Sequence, residues 1–497
     1  MSVLEEPIIK GQTLTNYVNG EWVESTANRF RDVVNPATMK ALGKVPISNA
    51  GDLDEAVKAA SEAFPEWRRM TPLSRARYFF RLKELLEDHF EEISRVGVME
   101  HGKTIDESRG ETRRGIENAE VAAGIPSLMM GYNLEDIARG IDEYLIRQPL
   151  GVFACIAPFN FPFMVPLWFM PYAVATGNTY VVKPSPWTPF SQQKLFELID
   201  AAGFPPGVIN MVHGDVEVAN AIIEHPDVKG ISFVGSTRVG RDVIYKGGTA
   251  HGKRVQAQCS AKNFLVVTPD ASVDRTIAAL MTSFYGNTGQ RCLSGANLVV
   301  VSEDDAFYTR FLKQTADAAA NIRIGYGLDE SVQMGPLQAE ARKTRVLGYI
   351  EKGVEEGAKL LLDGRSFQTV GSYPRNCFLG PSIFQDVTED MAIAQEEIFG
   401  PVMSVFRVND LDDAIALINR SPYGNAASIF TDSGRSSRRF QYDVTCGNIG
   451  VNIGIAAPMA FFPFSGMKDS FFGDLHGQGH DAVNFFTEQK VVIVRWL

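Results

Sequence analysis

Cysteine is scarce in this chain: five residues in 497, scattered and odd in number. That excludes a disulfide framework and fits a reducing, cytoplasmic compartment. Basic charge is also short. Lys and Arg total 48 against 59 Asp and Glu, a formal net charge of −11. No basic stretch offers a phosphate footprint, so a nucleic-acid partner is excluded. Residues Met1 to Lys10 lack an apolar core and carry acids early, so no signal peptide is expected there.

Long hydrophobic runs are missing too, with one near-exception. From Gln148 to Val182 there are 35 residues without a charge, long enough to span a bilayer. Pro158, Pro162, Pro166 and Pro171 interrupt the run, and each frees backbone groups that lipid cannot satisfy. It reads as buried core of a soluble protein, with no membrane partner.

What is present is an ordinary globular composition, 45% hydrophobic and 22% charged. At about 150 residues per domain, the length suggests roughly three domains. Tyr17-Val18-Asn19-Gly20-Glu21-Trp22-Val23 carries an Asn-Gly hairpin signal. Helical periods follow at 53–67, 74–98 and 103–123. Strands are then expected at 151–157, 179–182, 208–212 and 230–234, alternating with helices at 164–175, 191–202, 216–223 and 238–246. Such alternation implies right-handed crossovers and a parallel sheet. A second unit alternates from 264–267 through 298–301, 305–320, 342–356 and 359–362 to 404–408. The fold class is therefore α/β. The tail from 484 to 497 ends as an apolar strand, a hazard if uncovered, so pairing with another subunit is expected.

Four short stretches can carry chemistry. Cys292 follows a turn with glycines at 286 and 289, and Arg291 precedes it. A thiol nucleophile needs a setting that favours attack, although a lone buried cysteine is more often structural. Gly235 and Ser236 follow a strand and open a helix, where backbone N–H groups can face a phosphate. The spacing is neither the dinucleotide fingerprint nor a P-loop. Lys183 lies just past a strand's carboxyl end, the side on which ligands of open α/β sheets bind. Asn160, in Pro158-Phe159-Asn160-Phe161-Pro162, can be a satisfied core amide or an oxyanion donor.

In this order the four stretches resemble the aldehyde dehydrogenase superfamily over nearly the whole chain. The resemblance extends to Pro206-Gly207-Val208-Ile209-Asn210, Gln333-Met334-Gly335-Pro336, Glu397-Ile398-Phe399-Gly400-Pro401 and Pro463-Phe464-Ser465-Gly466-Met467-Lys468. Within it, the chain is most similar to the CoA-acylating methylmalonate-semialdehyde dehydrogenase group. Phe159 to Trp168 and Phe472-Gly473-Asp474-Leu475 carry that likeness. So does Gln258, where hydrolytic members have a glutamate and the acylating group a non-acidic residue.

The resemblance implies a Rossmann-like cofactor domain (1–128 and 151–257), an α/β catalytic domain (258–474) and a small β oligomerisation element (129–150 and 475–497). It implies a homo-oligomer, dimer or tetramer, and no metal. Cys292 is then the nucleophile that forms a thioester, and Asn160 with the Cys292 backbone N–H holds the oxyanion. NAD would lie along Ala157, Phe159, Lys183, Ser185, Gly235, Ser236, Glu397 and Phe399. In that arrangement Lys183 meets the adenosine ribose, Gly235 and Ser236 the pyrophosphate, and Glu397 the nicotinamide ribose. Arg114 and Arg291 match the pair that holds a substrate carboxylate, a task suited to the planar guanidinium fork.

With Gln258 unable to act as a base for water, coenzyme A would take the acyl group. The expected reaction is oxidation of a small carboxylated aldehyde, methylmalonate or malonate semialdehyde first, to propionyl-CoA or acetyl-CoA with loss of carbon dioxide. Two rivals are an acylating enzyme for another aldehyde and a hydrolytic NAD(P)-dependent semialdehyde dehydrogenase. A third is a binding or structural protein on this fold. Three stretches depart from the family. Pro186 and Trp187 stand where a ribose-binding glutamate is usual, which removes repulsion against a 2′-phosphate and admits NADP alongside NAD. Gln258-Cys259-Ser260-Ala261 and Leu293-Ser294-Gly295 also differ, so the aldehyde can differ as well.

Overall fold

Asn19 and Gly20 both take left-handed backbone, φ 55° and 80°, as a tight primed turn requires. They join Asn16–Val18 to Glu21–Val23 in the expected hairpin. The computed structural model describes Glu6 and residues 12–496, so the reading of Met1 to Lys10 falls, Glu6 apart, outside the described residues.

The hairpin closes one end of an eight-stranded sheet. Its centre is five parallel strands: Val152–Ile156, Thr179–Lys183, Ile209–Met211, Val228–Val234 and Arg254–Gln258. Counted along the chain they lie in the order 3-2-1-4-5, the doubly wound arrangement. Strand side chains alternate between faces, and both faces here are buried. Val152, Ala154 and Ile156 pack with Leu53, Val57 and Ile222 on one side. Phe153 and Cys155 pack with Phe79, Leu82 and Phe196 on the other.

The uncharged run is part of this core. It supplies two neighbouring strands and two short helices, Met164–Leu167 and Met170–Ala175. One helix over 164–175 was expected; Pro171 in the first turn of the second helix explains the break. The expected helix at 74–98 is likewise two, Pro72–Asp88 and Phe90–His101, hinged at His89. Neither Pro nor Gly marks that hinge, so the apolar period carries through it. At 238–246 the helix is irregular, with a wide turn over Gly240–Tyr245. Among the described residues, no helix is long and apolar enough to cross a membrane.

The second sheet has seven strands, in the order Lys359–Leu362, Ser382–Gln385, Val402–Val408, Gly295–Val301, Asn263–Val267, Ala426–Phe430 and Asn448–Val451. All neighbours are parallel except the first pair. A third, three-stranded sheet takes up the tail. Thr487–Arg495 pairs antiparallel with Ile141–Pro149 of its own chain, and Asn133–Ala138 completes the sheet. The tail is thus covered on one edge without a second subunit, and remains the outer strand.

Candidate active site

The switch point of a 3-2-1-4-5 sheet lies between its first and fourth strands, where the crevice at the carboxyl ends receives a ligand. Here those strands end at Ile156 and Val234, and both line a cavity of about 470 Å³. Ala157, Phe159, Asn160, Ser185, Gly235, Ser236, Glu397 and Phe399 share its wall with Arg342 and Arg345. A second cavity of about 300 Å³ is lined by Glu107, Glu111, Arg114, Phe161, Trp168, Arg291 and Phe464. Cys292 lines both.

The turn before Cys292 is held by tight backbone fits. Asn287 and Thr288 take φ 52° and 53°, and Gly289 φ 70°. A Cβ on Gly289 would lie 2.1 Å from the Gly400 carbonyl oxygen, so only glycine fits there. The Cys292 carbonyl accepts hydrogen bonds from the side-chain amides of Asn263 and Asn425, each at 2.8 Å. Burial, with Glu397 nearby, pushes its thiol up to about 12. Arg291 and the backbone N–H groups of Cys292 and Leu293 oppose that shift. At neutral pH the resting sulfur is therefore a thiol, with N–H donors beside it.

Asn160 is buried at 4% exposure. One N–H of its amide donates to the Gln290 carbonyl at 3.0 Å, and an amide nitrogen carries a second donor. Desolvation raises the proton affinity of the half-buried Glu397, and its carboxylate accepts from the Ala261 N–H at 3.0 Å. Phe399 takes φ 61°, uncommon for a bulky residue, and meets Phe159 edge-on at 5.9 Å. Lys183 does not line the cavity: burial lowers it to about 8, and its ammonium donates to the Pro184 and Gly214 carbonyls.

Arg114 and Arg291 come together in the smaller cavity. Arg114 reaches Glu117 at 3.2 Å, and Arg291 lies 4.0 Å from Glu107. The helix Ile105–Ala123 starts with a capping box in which Glu107 accepts from the Thr104 N–H. Glu107, Glu111, Arg114 and Asn118 recur at helical spacing on the face turned to the cavity. Sequence reading missed all of these except Arg114, although their period was available. It also missed Arg342, stacked on the Phe159 ring at 3.4 Å, and Arg345, which donates to the Glu397 carbonyl.

Gln258 does not line either of the cavities that meet at Cys292. Its amide donates to Asn425 Oδ1 at 3.1 Å, and it borders a tight space of about 10 Å³ with Trp168, Phe169, Gln256, Phe464, Phe471 and Gly477. Among the described residues, no titratable group lines that space. The donor set of the larger cavity fits a dinucleotide: a carboxylate for ribose hydroxyls, N–H groups and guanidinium ions for phosphates, aromatic rings for the bases.

Comparison with known proteins agrees with this geometry. The model of the aldehyde dehydrogenase family matches residues 22–492. A malonate-semialdehyde dehydrogenase of Geobacillus kaustophilus (strain HTA426) is 48% identical over 485 residues, 98% of this chain and 99% of its own. The crystal structure of a methylmalonate-semialdehyde dehydrogenase from Oceanimonas doudoroffii superposes with a TM-score of 0.94 at 40% identity, covering 98% of each chain. A protein of Sinorhizobium meliloti 1021, assigned the same activity and solved with NAD, gives 0.95 at 39% identity and 98% coverage of each chain. The chain belongs to the aldehyde dehydrogenase family.

Proposed function

We propose that this enzyme oxidises malonate or methylmalonate semialdehyde to acetyl-CoA or propionyl-CoA, through a thioester on Cys292. The observation that carries the reading is the place of Cys292, at the only junction of the two cavities among the described residues. One cavity holds two arginines for a carboxylate, and the other fits a dinucleotide.

Arg114 and Arg291 hold the substrate carboxylate and turn its aldehyde carbon toward Cys292. The sulfur adds to that carbon and the thiol proton passes to solvent. The oxyanion that forms receives the free N–H of Asn160 and the backbone N–H of Cys292. NAD, when bound, supplies the hydride acceptor, and Glu397 and Phe399 orient its reacting end. The product is an acyl thioester on Cys292. Gln258 is an amide, its N–H committed to Asn425 in a space without a titratable group, and this supports a thioester protected from water. The thiol of coenzyme A then attacks: its new C–S bond replaces the bond to Cys292, and its proton returns to the Cys292 sulfur. The β-carboxylate leaves as carbon dioxide, and the enolate left behind takes a proton from water at its α-carbon.

We assign residues 1–128 and 151–257 to the cofactor domain, 258–474 to the catalytic domain, and 129–150 with 475–497 to oligomerisation. Exposed Tyr132, Leu134, Ile137, Val491, Ile493 and Trp496, all within or beside the three-stranded sheet, support a homo-oligomer formed there. The test of function is product identification. With malonate semialdehyde, NAD and CoA, mass spectrometry should find acetyl-CoA; free acid as the sole product overturns the reading.

A further inference from the structure

Lys103 and Glu111 form an ion pair with side chains 0% and 2% exposed. Desolvation opposes such a pair unless its remaining hydrogen-bonding capacity is used. Here that capacity goes to the segment bearing Asn160. The Lys103 ammonium donates to the Asn160 carbonyl at 2.8 Å and lies 4.3 Å from the Phe161 ring. One Glu111 oxygen accepts from the Phe163 and Met164 N–H groups, at 2.9 and 3.2 Å.

The side chain of Asn160 is held from the opposite direction. It donates to the Gln290 carbonyl, two residues before Cys292, at 3.0 Å. The Asn287 amide bridges the two anchor points, donating to that carbonyl at 3.0 Å and to the Asn160 carbonyl at 3.4 Å. Main chain and side chain of Asn160 are thus tied to different elements. The cation on its carbonyl sets where the second N–H points.

We propose that Lys103 is a positioning residue of the oxyanion site, acting through Asn160. It lines neither of the two cavities that meet at Cys292, whereas its partner Glu111 lines the smaller one. Without the ammonium, Asn160 loses a charged donor and Glu111 is left as an uncompensated carboxylate beside the substrate. The proposal rests on the reading of Asn160 as the oxyanion donor.

The test is the first-turnover burst of NADH from the full-length enzyme with propanal and no CoA. Propanal has no carboxylate, so Arg114 and Arg291 do not enter. The burst rate constant of Lys103→Met is expected to fall at least about tenfold, since misplacing one oxyanion donor is enough for that. NAD affinity by calorimetry should stay within about twofold, because Asn160 is the one wall residue of the cofactor cavity to which Lys103 donates, and none of the residues assigned to the dinucleotide is replaced. If Lys103→Met does not fold, Lys103→Gln, which keeps an N–H donor, should show a smaller loss in the same direction.

Asn160→Ala and the double variant separate positioning from general destabilisation. Acting through Asn160, the Lys103 substitution should add little once Asn160 is gone. Losses that multiply, or a folded Lys103→Met (or Lys103→Gln) with a wild-type burst, overturn the proposal. A wild-type burst in Asn160→Ala instead overturns the reading of Asn160 itself.

Discussion

Asn425 donates its side-chain amide to the carbonyl of Cys292 at 2.8 Å while its own oxygen accepts from Gln258 at 3.1 Å. Position 258 is therefore coupled to the nucleophile through one intermediate residue. Replacing Gln258 with Glu turns the donor to Asn425 into an acceptor and places a base near the thioester. Gln258→Glu should lower the acylation rate yet shorten the lifetime of the thioester in water by about tenfold or more. Quenched-flow trapping of the acyl-enzyme measures both.

Arg114 and Arg291 are expected to affect substrates by charge. A charge-assisted hydrogen bond contributes about 1.5–3 kcal/mol, so replacing either arginine with Ala should raise KM for malonate semialdehyde about tenfold or more. KM for propanal should hardly move. Equal losses on both aldehydes would show that the arginines serve the fold rather than the carboxylate. Steady-state kinetics on the two aldehydes decide it.

Cys292 is held as a thiol, pushed up to about 12 by burial and Glu397. Between pH 7 and 9 its thiolate fraction should rise about tenfold per pH unit without a plateau. Alkylation of the cofactor-free enzyme by iodoacetamide, followed at the peptide bearing Cys292, should show that slope. A plateau near neutral pH would mean a thiolate already formed at rest.

Much of this site was legible because its residues sit in short contiguous motifs whose order along the chain is specific. Cys292, Asn160 and Glu397 come from three different loops, yet each loop has its own turn chemistry. The parallel sheet followed from alternating periods; its strand order, and breaks without Pro or Gly such as His89, did not. Lys103 and Asn425 were invisible for another reason. Each acts through a partner more than 50 residues away, Asn160 and Cys292 respectively, and neither lies in a motif that names a role. Arg114 was found, but not the acidic stripe beside it, because only the arginine matched a family position.

The cofactor cavity leads to an expectation about nucleotide choice. Ser185 and Trp187 line it, and Pro186 between them offers no carboxylate to a ribose. Arg31 stacks on Trp187 at 3.3 Å and Arg342 lies 5.5 Å from the same ring, so this wall favours negative charge. Pro186→Glu should shift the ratio of kcat/KM for NAD over NADP upward by about tenfold, through repulsion of the 2′-phosphate. An unchanged ratio would place the 2′-hydroxyl elsewhere.

The central claim is that the Cys292 thioester waits for a thiol. Stopped-flow absorbance with malonate semialdehyde and saturating NAD, without CoA, measures it directly. The expected trace is a burst of about one NADH per active subunit followed by a near-stalled phase, with fast turnover restored when CoA is added. Continued NADH formation without CoA at the rate seen with it, accompanied by free acid, would contradict the account.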